Sequence, residues 1–251
     1  MGADALAWLR LAERTAEQAA RMLRAERDGM RRIRQRLDRD LKLDGDQALD
    51  RFIAARLEGG SPFPMMSEER AGAALRAGTR HWIVDPLDGS VNFARGIPLS
   101  CISIALWRGR APLLGVIYDV HRMERFSGIV GQGAWLDGRP IRVGAAGAPR
   151  DAVLCTGFPV GRDFSTESLA SFVRHIQRYQ KVRLLGSAAL SLAYVACGRA
   201  DAYEEERIAL WDVAAGIAIV RAAGGAARCQ PARFDATVTV AAGNRTLLQD
   251  S

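Results

Sequence analysis

Apolar residues recur at helical spacing near the start of the chain. Ala16, Ala19, Ala20 and Leu23, followed by Ile33 and Leu37, predict a helix over residues 4 to about 40. Leu49, Phe52, Ile53 and Leu57 form the stripe of a second helix, from about Asp46 to Leu57, with Gly59-Gly60 as its stop signal. The pattern then changes to short apolar runs. FPMMSEE reads as a strand ending in Glu68 and Glu69, and Trp82-Ile83-Val84 as a strand ending in Asp85. CISIALW (101–107) and LLGVIYDV (113–120) are strand-like, and Asp137-Gly138 within GAWLDGRPIRV is a hairpin signal. This succession predicts a largely antiparallel sheet with the early helices packed on it.

Past about residue 146 strands and helices alternate. Strand candidates at 152–156, 182–185, 200–204, 226–229 and 237–241 are interleaved with helical patterns at 165–178, 188–197 and 213–223. The expected organisation is an N-terminal α+β half, 1–145, and a C-terminal α/β half, 146–251, with a cleft between them.

Composition narrows the class. Apolar residues make up 49% of the chain and charged residues 25%, as in globular proteins generally. No apolar run is long enough for a membrane span, and MGADALAWLRLAERTAEQAA lacks the basic start and apolar block of a signal peptide. A cytoplasmic protein with no membrane partner is expected. The four cysteines, 101, 155, 197 and 229, form no CxxC and read as reduced thiols. His81, His121 and His175 are scattered, which argues against zinc. The net charge is +7, and Lys42 and Lys181 are the only lysines. Between Arg21 and Lys42, nine basic residues are interrupted by four acidic ones without interleaved aromatics. That is the pattern of a solvated face rather than of a nucleic-acid-binding helix.

The chemistry concentrates in WIVDPLDGSVNF, residues 82–93. Asp85 and Asp88 follow a buried strand, where aspartate is common as a turn residue. Glu68 also follows a strand, and ligands of open sheets gather beyond strand ends. Two like charges 4 Å apart repel by about 4 kcal/mol at a surface-like dielectric, so converging carboxylates call for a cation or for protons. An oxygen-only donor set, with the Leu87 carbonyl between the aspartates, selects a hard cation such as Mg²⁺. Gly89, Ser90 and Val91 allow close backbone approach, and a helical turn starting there directs N–H groups at an anion. Asp212, at the start of the helical pattern LWDVAAGIAIVRAAGG, reads alone as an N-cap. Counted with Glu68, Asp85 and Asp88 it makes a charge of −4, which two divalent cations balance.

These residues carry a resemblance. WIVDPLDGSVNF resembles the WxxDPxDGTxNF signature of the inositol monophosphatase family, and WDVAAGIAIVRAAGG resembles its C-terminal WDxAAG…EAGG signature. SEERAG, GSAAL (186–190) and GRADAYEE (198–205) match in order and spacing, over about residues 46–245. The resemblance implies a layered αβαβα sandwich, mixed α+β and α/β, of the inositol monophosphatase and fructose-1,6-bisphosphatase type. It further implies a homodimer that hydrolyses phosphomonoesters with two or three Mg²⁺ ions and is sensitive to Li⁺. Carried over by position, Glu68, Asp85, the Leu87 carbonyl, Asp88 and Asp212 match metal ligands. Ser90 replaces the threonine that helps activate water, and Asp46 matches the aspartate partnering that hydroxyl. Asp88, Gly89, Ser90 and Val91 match the phosphate side of substrate binding, and Ala188 and Glu205 the alcohol side. Arg207 stands where glycine is common and Glu204 where an aromatic is common, both expected near the substrate's alcohol.

The expected function is Mg²⁺-dependent hydrolysis of a small polyol or sugar phosphate, with inositol 1-phosphate as first choice. Histidinol phosphate, fructose 1,6-bisphosphate and 3′(2′),5′-bisphosphate nucleotides are the alternatives within the class. A non-catalytic protein- or RNA-binding member is the alternative of another class.

Overall fold

The computed structural model describes residues 2–36, 41–70, 78–158, 163–231 and 237–249. Helix α1 (Gly2–Ala25) buries Ala12, Ala16, Ala19, Ala20 and Leu23 along one face, as their spacing requires. A single turn, α2 (Arg27–Met30), follows, and then β1 (Ile33–Arg36) pairs antiparallel with β2 (Leu41–Leu43). The helix expected to about residue 40 therefore ends at Ala25. Beyond the single turn of α2, β-branched Ile33 pairs with Leu43 across the hairpin, so the chain there is a strand. Leu37, the second residue of that helical reading, lies outside the described residues. Helix α3 (Asp44–Gly60) starts two residues before the expected Asp46 and carries Gly59 and Gly60 within its last turn, so Ser61 rather than the glycines ends it.

The next strands build a seven-stranded sheet in sequential order. They are β3 (Met65–Ser67), β4 (Arg80–Asp88), β5 (Cys101–Arg108), β6 (Ala111–Asp119), β7 (Arg125–Ile129), β8 (Gly133–Leu136) and β9 (Arg139–Ile141), with helix α4 (Ser90–Arg95) between β4 and β5. All neighbours are antiparallel except β3 and β4, which run parallel. Asp137 and Gly138 make the β8–β9 turn at φ of 50° and 79°. Strand β7 was not expected, because Ser127 and Gly128 dilute its apolar pattern.

The C-terminal part contains β10 (Val153–Cys155), α5 (Thr166–Ile176), β11 (Lys181–Arg183), α6 (Ala188–Ala196), β12 (Ala202–Ala209), α7 (Leu210–Ala222), β13 (Ala226–Pro231) and β14 (Thr237–Gly243). Its strands form a five-stranded mixed sheet in the order β11-β10-β12-β14-β13.

Side-chain alternation along β5 explains the layering. Ile102, Ile104 and Leu106 pack with α1 and α3 on one face of the larger sheet. Cys101, Ala105 and Trp107 pack with α6 and α7 on the other. Helix α7 lies between the two sheets and is apolar all round; Val213, Ile217, Ile219 and Val220 are fully buried, each stabilising by roughly 1.5–3 kcal/mol. Beyond the smaller sheet, Ile176 of α5 packs with Leu154 and Ala202. The result is an αβαβα sandwich. Among the described residues, no helix is long and apolar enough to cross a membrane.

Candidate functional site

Strand β4 is buried along almost its whole length and ends with both aspartates inside the sheet rather than in a turn after it. Pairing with β5 slips between Asp85 and Asp88, where Pro86 cannot donate to the ladder. That slip turns both side chains toward the end of the sheet. The Leu87 N–H donates to Asp85 Oδ1 at 3.0 Å. Parallel pairing of Ser67 with Val84 sets Glu68, the first residue past β3, beside Asp85. The chain then turns through Gly89 at φ 83° into α4. A side chain there would be strained, and its Cβ would stand 2.6 Å from the Leu99 carbonyl oxygen. Asn92 locks this turn, its amide donating to the carbonyls of Leu99, Leu185 and Gly186.

Asp88 ties the larger sheet to helix α6. Its Oδ2 accepts from Ser187 Oγ at 2.5 Å and from the Ala189 N–H at 2.8 Å, at the start of α6. Asp212 lies in the first turn of α7, at the third helical position rather than at the N-cap, which is Ala209. These elements close a cleft of about 500 Å³, lined by Glu68, Asp85, Leu87, Asp88, Gly89, Ser90, Val91, Ala188, Glu205 and Asp212 among others. Of the residues expected at the site, Asp46 and Glu204 are not on its wall.

The electrostatics are those of crowded carboxylates. Burial, then the charges of Glu68, Asp88 and Asp212, hold the Asp85 carboxyl well above the usual range. Burial, then Asp88, Glu68 and Glu205, do the same to Asp212, which is hydrogen-bonded to Asp85. Asp88 is pushed up to about 6 by burial, with the Ser187 and Ala189 hydrogen bonds opposing the rise. Asp46 is pushed up to about 7 by burial, opposed by the Leu43 N–H and reinforced by Glu68.

Asp46 Oδ2 accepts from Leu43 N–H at 2.6 Å, while Oδ1 is buried without a partner. The Ser90 hydroxyl donates to the Leu41 carbonyl at 3.5 Å. The expected Asp46–Ser90 hydrogen bond is absent among the described residues.

All these donors are oxygens and several are buried, so the set suits a hard divalent cation. Among the described residues no three His, Cys, Asp or Glu side chains are closed around one point. Each carboxylate has another partner instead. Asp85 and Asp212 bind each other, Asp88 binds the start of α6, and Glu68 takes the Lys42 ammonium at 2.6 Å.

Several contributors were not singled out from the sequence. Lys42 also contacts Glu69 at 2.7 Å; burial opposes its charge, but the two glutamates outweigh that and hold the ammonium above its ordinary pKa. Its being one of two lysines in an arginine-rich chain was the available signal. Ser187 caps α6 and holds Asp88. Tyr203 donates to Glu205 Oε2 at 2.8 Å, and burial followed by the Glu205 charge raises its phenol pKa. A Cβ at Gly157 would lie 2.6 Å from the same carboxylate oxygen.

Glu204, expected near the substrate's alcohol, faces away from the cleft. Strand alternation puts it on the opposite face from Glu205, where Tyr179 Oη and His175 Nε2 each lie 2.6 Å from its carboxylate. Arg207 is on the cleft wall.

A family model described as the inositol monophosphatase family matches residues 4–250. The Nus factor SuhB of Xylella fastidiosa is 41% identical over 189 residues, 74% of this chain and 68% of that protein. An inositol monophosphatase of Mesembryanthemum crystallinum is 41% identical over 174 residues, 68% of this chain and 64% of that one. Among solved structures, the extragenic suppressor protein suhB of Bartonella henselae superposes with a TM-score of 0.83 at 32% identity, covering 94% of this chain and 93% of that one. An inositol monophosphatase of Anabaena gives 0.82 at 30% identity, covering 98% and 94%.

Proposed function

The chain belongs to the inositol monophosphatase family, whose members are phosphoric monoester hydrolases, and on that premise we propose that it is a Mg²⁺-dependent phosphatase of a small polyol or sugar phosphate, with inositol 1-phosphate as the first substrate to assay. The observation that carries this reading is the shared cleft of Glu68, Asp85, Asp88 and Asp212, three of them with raised carboxyl pKa values. Such crowding costs stability, and a non-catalytic protein- or RNA-binding member has no use for it. Glu68, Asp85, the Leu87 carbonyl, Asp88 and Asp212 would hold two or three Mg²⁺ ions, which when bound neutralise phosphate charge and make a bound water acidic.

The chain's own residues do the rest. Gly89 and the N–H groups of Ser90 and Val91 cradle the phosphate. The Ser90 hydroxyl orients the attacking water, and Asp46, with its unpartnered Oδ1 and its pKa near 7, accepts a proton relayed from that side. Water oxygen bonds to phosphorus as the bond from phosphorus to the alcohol oxygen breaks, and the alcohol leaves with a proton. Ala188 shapes the alcohol side, and Glu205, oriented by Tyr203, accepts hydrogen bonds from the alcohol's hydroxyls. The halves 1–145 and 146–251 are proposed as the two units that form the cleft. A homodimer and a cytoplasmic location follow from the family reading.

The test is a panel of phosphate esters assayed with purified protein: inositol 1-phosphate, histidinol phosphate, fructose 1,6-bisphosphate and adenosine 3′,5′-bisphosphate. Hydrolysis of at least one polyol or sugar ester is expected. Turnover confined to histidinol phosphate or to the nucleotide would move the substrate to that alternative.

A further inference from the structure

Helix α3 carries two buried carboxylates, Asp46 and Asp50, one turn apart and therefore on one face. Asp50 does not line the cleft, and both of its oxygens are engaged with the turn that leaves β3. Ser67 Oγ donates to Oδ1 at 2.5 Å, and Arg70 Nε donates to Oδ2 at 2.8 Å. Ser67 and Arg70 are the first and last residues of that turn, which the Arg70 N–H closes on the Ser67 carbonyl at 3.1 Å. The two residues between them are Glu68 and Glu69. Arg70 also reaches Glu58, two helical turns beyond Asp50, at 3.6 Å. Asp50 thus grips the turn at both ends, through a fully buried hydroxyl and a guanidinium. Hydrogen bonds to an ionised carboxylate are short, strong and directional, so this grip fixes orientation as well as position. At the tip of the turn Glu68 lines the cleft, while Glu69 is drawn to Arg34 and Lys42.

We infer that Asp50 is a positioning residue for the metal site: by holding both ends of the Ser67–Arg70 turn it sets the direction in which Glu68 presents its carboxylate to the cleft. This rests on the reading that Glu68 holds Mg²⁺, and it extends that site to a residue outside the cleft. Groups that orient a metal's ligands are worth about 10–100-fold in metal affinity. An Asp50 that only anchored β3 to α3 would affect thermal stability and leave that affinity alone.

The experiment titrates Mg²⁺ by calorimetry, without substrate, into full-length protein stripped with EDTA. The temperature is one at which circular dichroism shows each protein folded. Asp50→Asn, Ser67→Ala and Arg70→Gln each break one part of the grip, and each should weaken Mg²⁺ binding by about tenfold or more. Arg70 is partly exposed, so Arg70→Gln decides the matter even if Asp50→Asn does not fold. It also separates positioning from charge, because removing a cation near the site would by itself tighten Mg²⁺ binding. The loss should pass through Glu68: in a Glu68→Gln background Arg70→Gln should change the affinity by less than about twofold. Wild-type Mg²⁺ affinity in Ser67→Ala and Arg70→Gln, with or without a lowered Tm, overturns this inference alone. Tighter binding by Arg70→Gln, or an equal loss in the Glu68→Gln background, overturns it as well. A wild-type protein that binds no Mg²⁺ would instead remove the metal-dependent phosphatase reading beneath it.

Discussion

Replacing Asp46 by asparagine should stabilise the metal-free protein while impairing it as a catalyst. The Asp46 side chain is almost wholly buried, and its pKa of about 7 compares with 3.8 for the free group. An acid whose folded pKa is raised destabilises the fold once the unfolded chain would ionise it. The cost is absent below the unfolded pKa and grows as pH rises toward the folded one. A difference of about three units corresponds to roughly 4 kcal/mol at pH near 8. Asparagine keeps an acceptor for the Leu43 N–H but loses the charge-assisted part of that bond, about 1 kcal/mol. The net expectation is about 2–3 kcal/mol of added stability, or a rise in Tm of roughly 5–10 °C for a chain of this size. At pH near 4 the same linkage leaves less than about 1 kcal/mol. Thermal denaturation in chelator at both pH values, with kcat measured in Mg²⁺, tests this directly. A variant no more stable at pH 8, or one stabilised equally at pH 4, would refute burial as the cause of the raised pKa.

Asp85→Asn and Asp212→Asn should each abolish turnover while keeping the native circular dichroism spectrum; near wild-type kcat in either would remove that residue from the metal set. Ser90→Ala should lower kcat far more than it changes KM, because orienting water matters mainly in the transition state, and Ser90→Thr should restore it. An unchanged kcat in Ser90→Ala would exclude the hydroxyl from the mechanism. Glu205→Ala should lower kcat/KM for a polyol phosphate relative to p-nitrophenyl phosphate by about ten- to a hundredfold, the value of a charged hydrogen bond lost to the polyol. Equal losses on both would assign Glu205 to the fold or the metal site.

The antiparallel sheet and the later alternation of strands and helices were legible in the sequence because they rest on contiguous signals, whereas the αβαβα layering came from the resemblance to the family's signatures. The carboxylates at 68, 85, 88 and 212 each adjoin a strong apolar run, so their positions at element ends followed from local pattern. Local pattern failed at residues 33–36, where arginine and glutamine alternate with too few apolar positions to separate a strand from a helix. It failed again at β7, and at Gly59-Gly60, which lie inside the last turn of α3 instead of ending it. The partners that join distant segments were invisible to local reading. Ser187 on Asp88, Lys42 on Glu68 and Asn92 on Leu185 span 99, 26 and 93 positions, and only the folded sheet order brings them together. Glu204 was misplaced for a related reason: a one-residue alternation decides which neighbour faces the cleft, and the signature resemblance does not carry that register.

The role proposed for Glu68, Asp85, Asp88 and Asp212 is to hold Mg²⁺ for phosphate-ester hydrolysis. The measurement that tests it most directly is the rate of phosphate release from inositol 1-phosphate by protein stripped exhaustively with EDTA, followed as Mg²⁺ is added back. No detectable turnover is expected in chelator, with saturable recovery on adding Mg²⁺ that Asp85→Asn and Asp212→Asn do not show. Full activity in the stripped protein would contradict it.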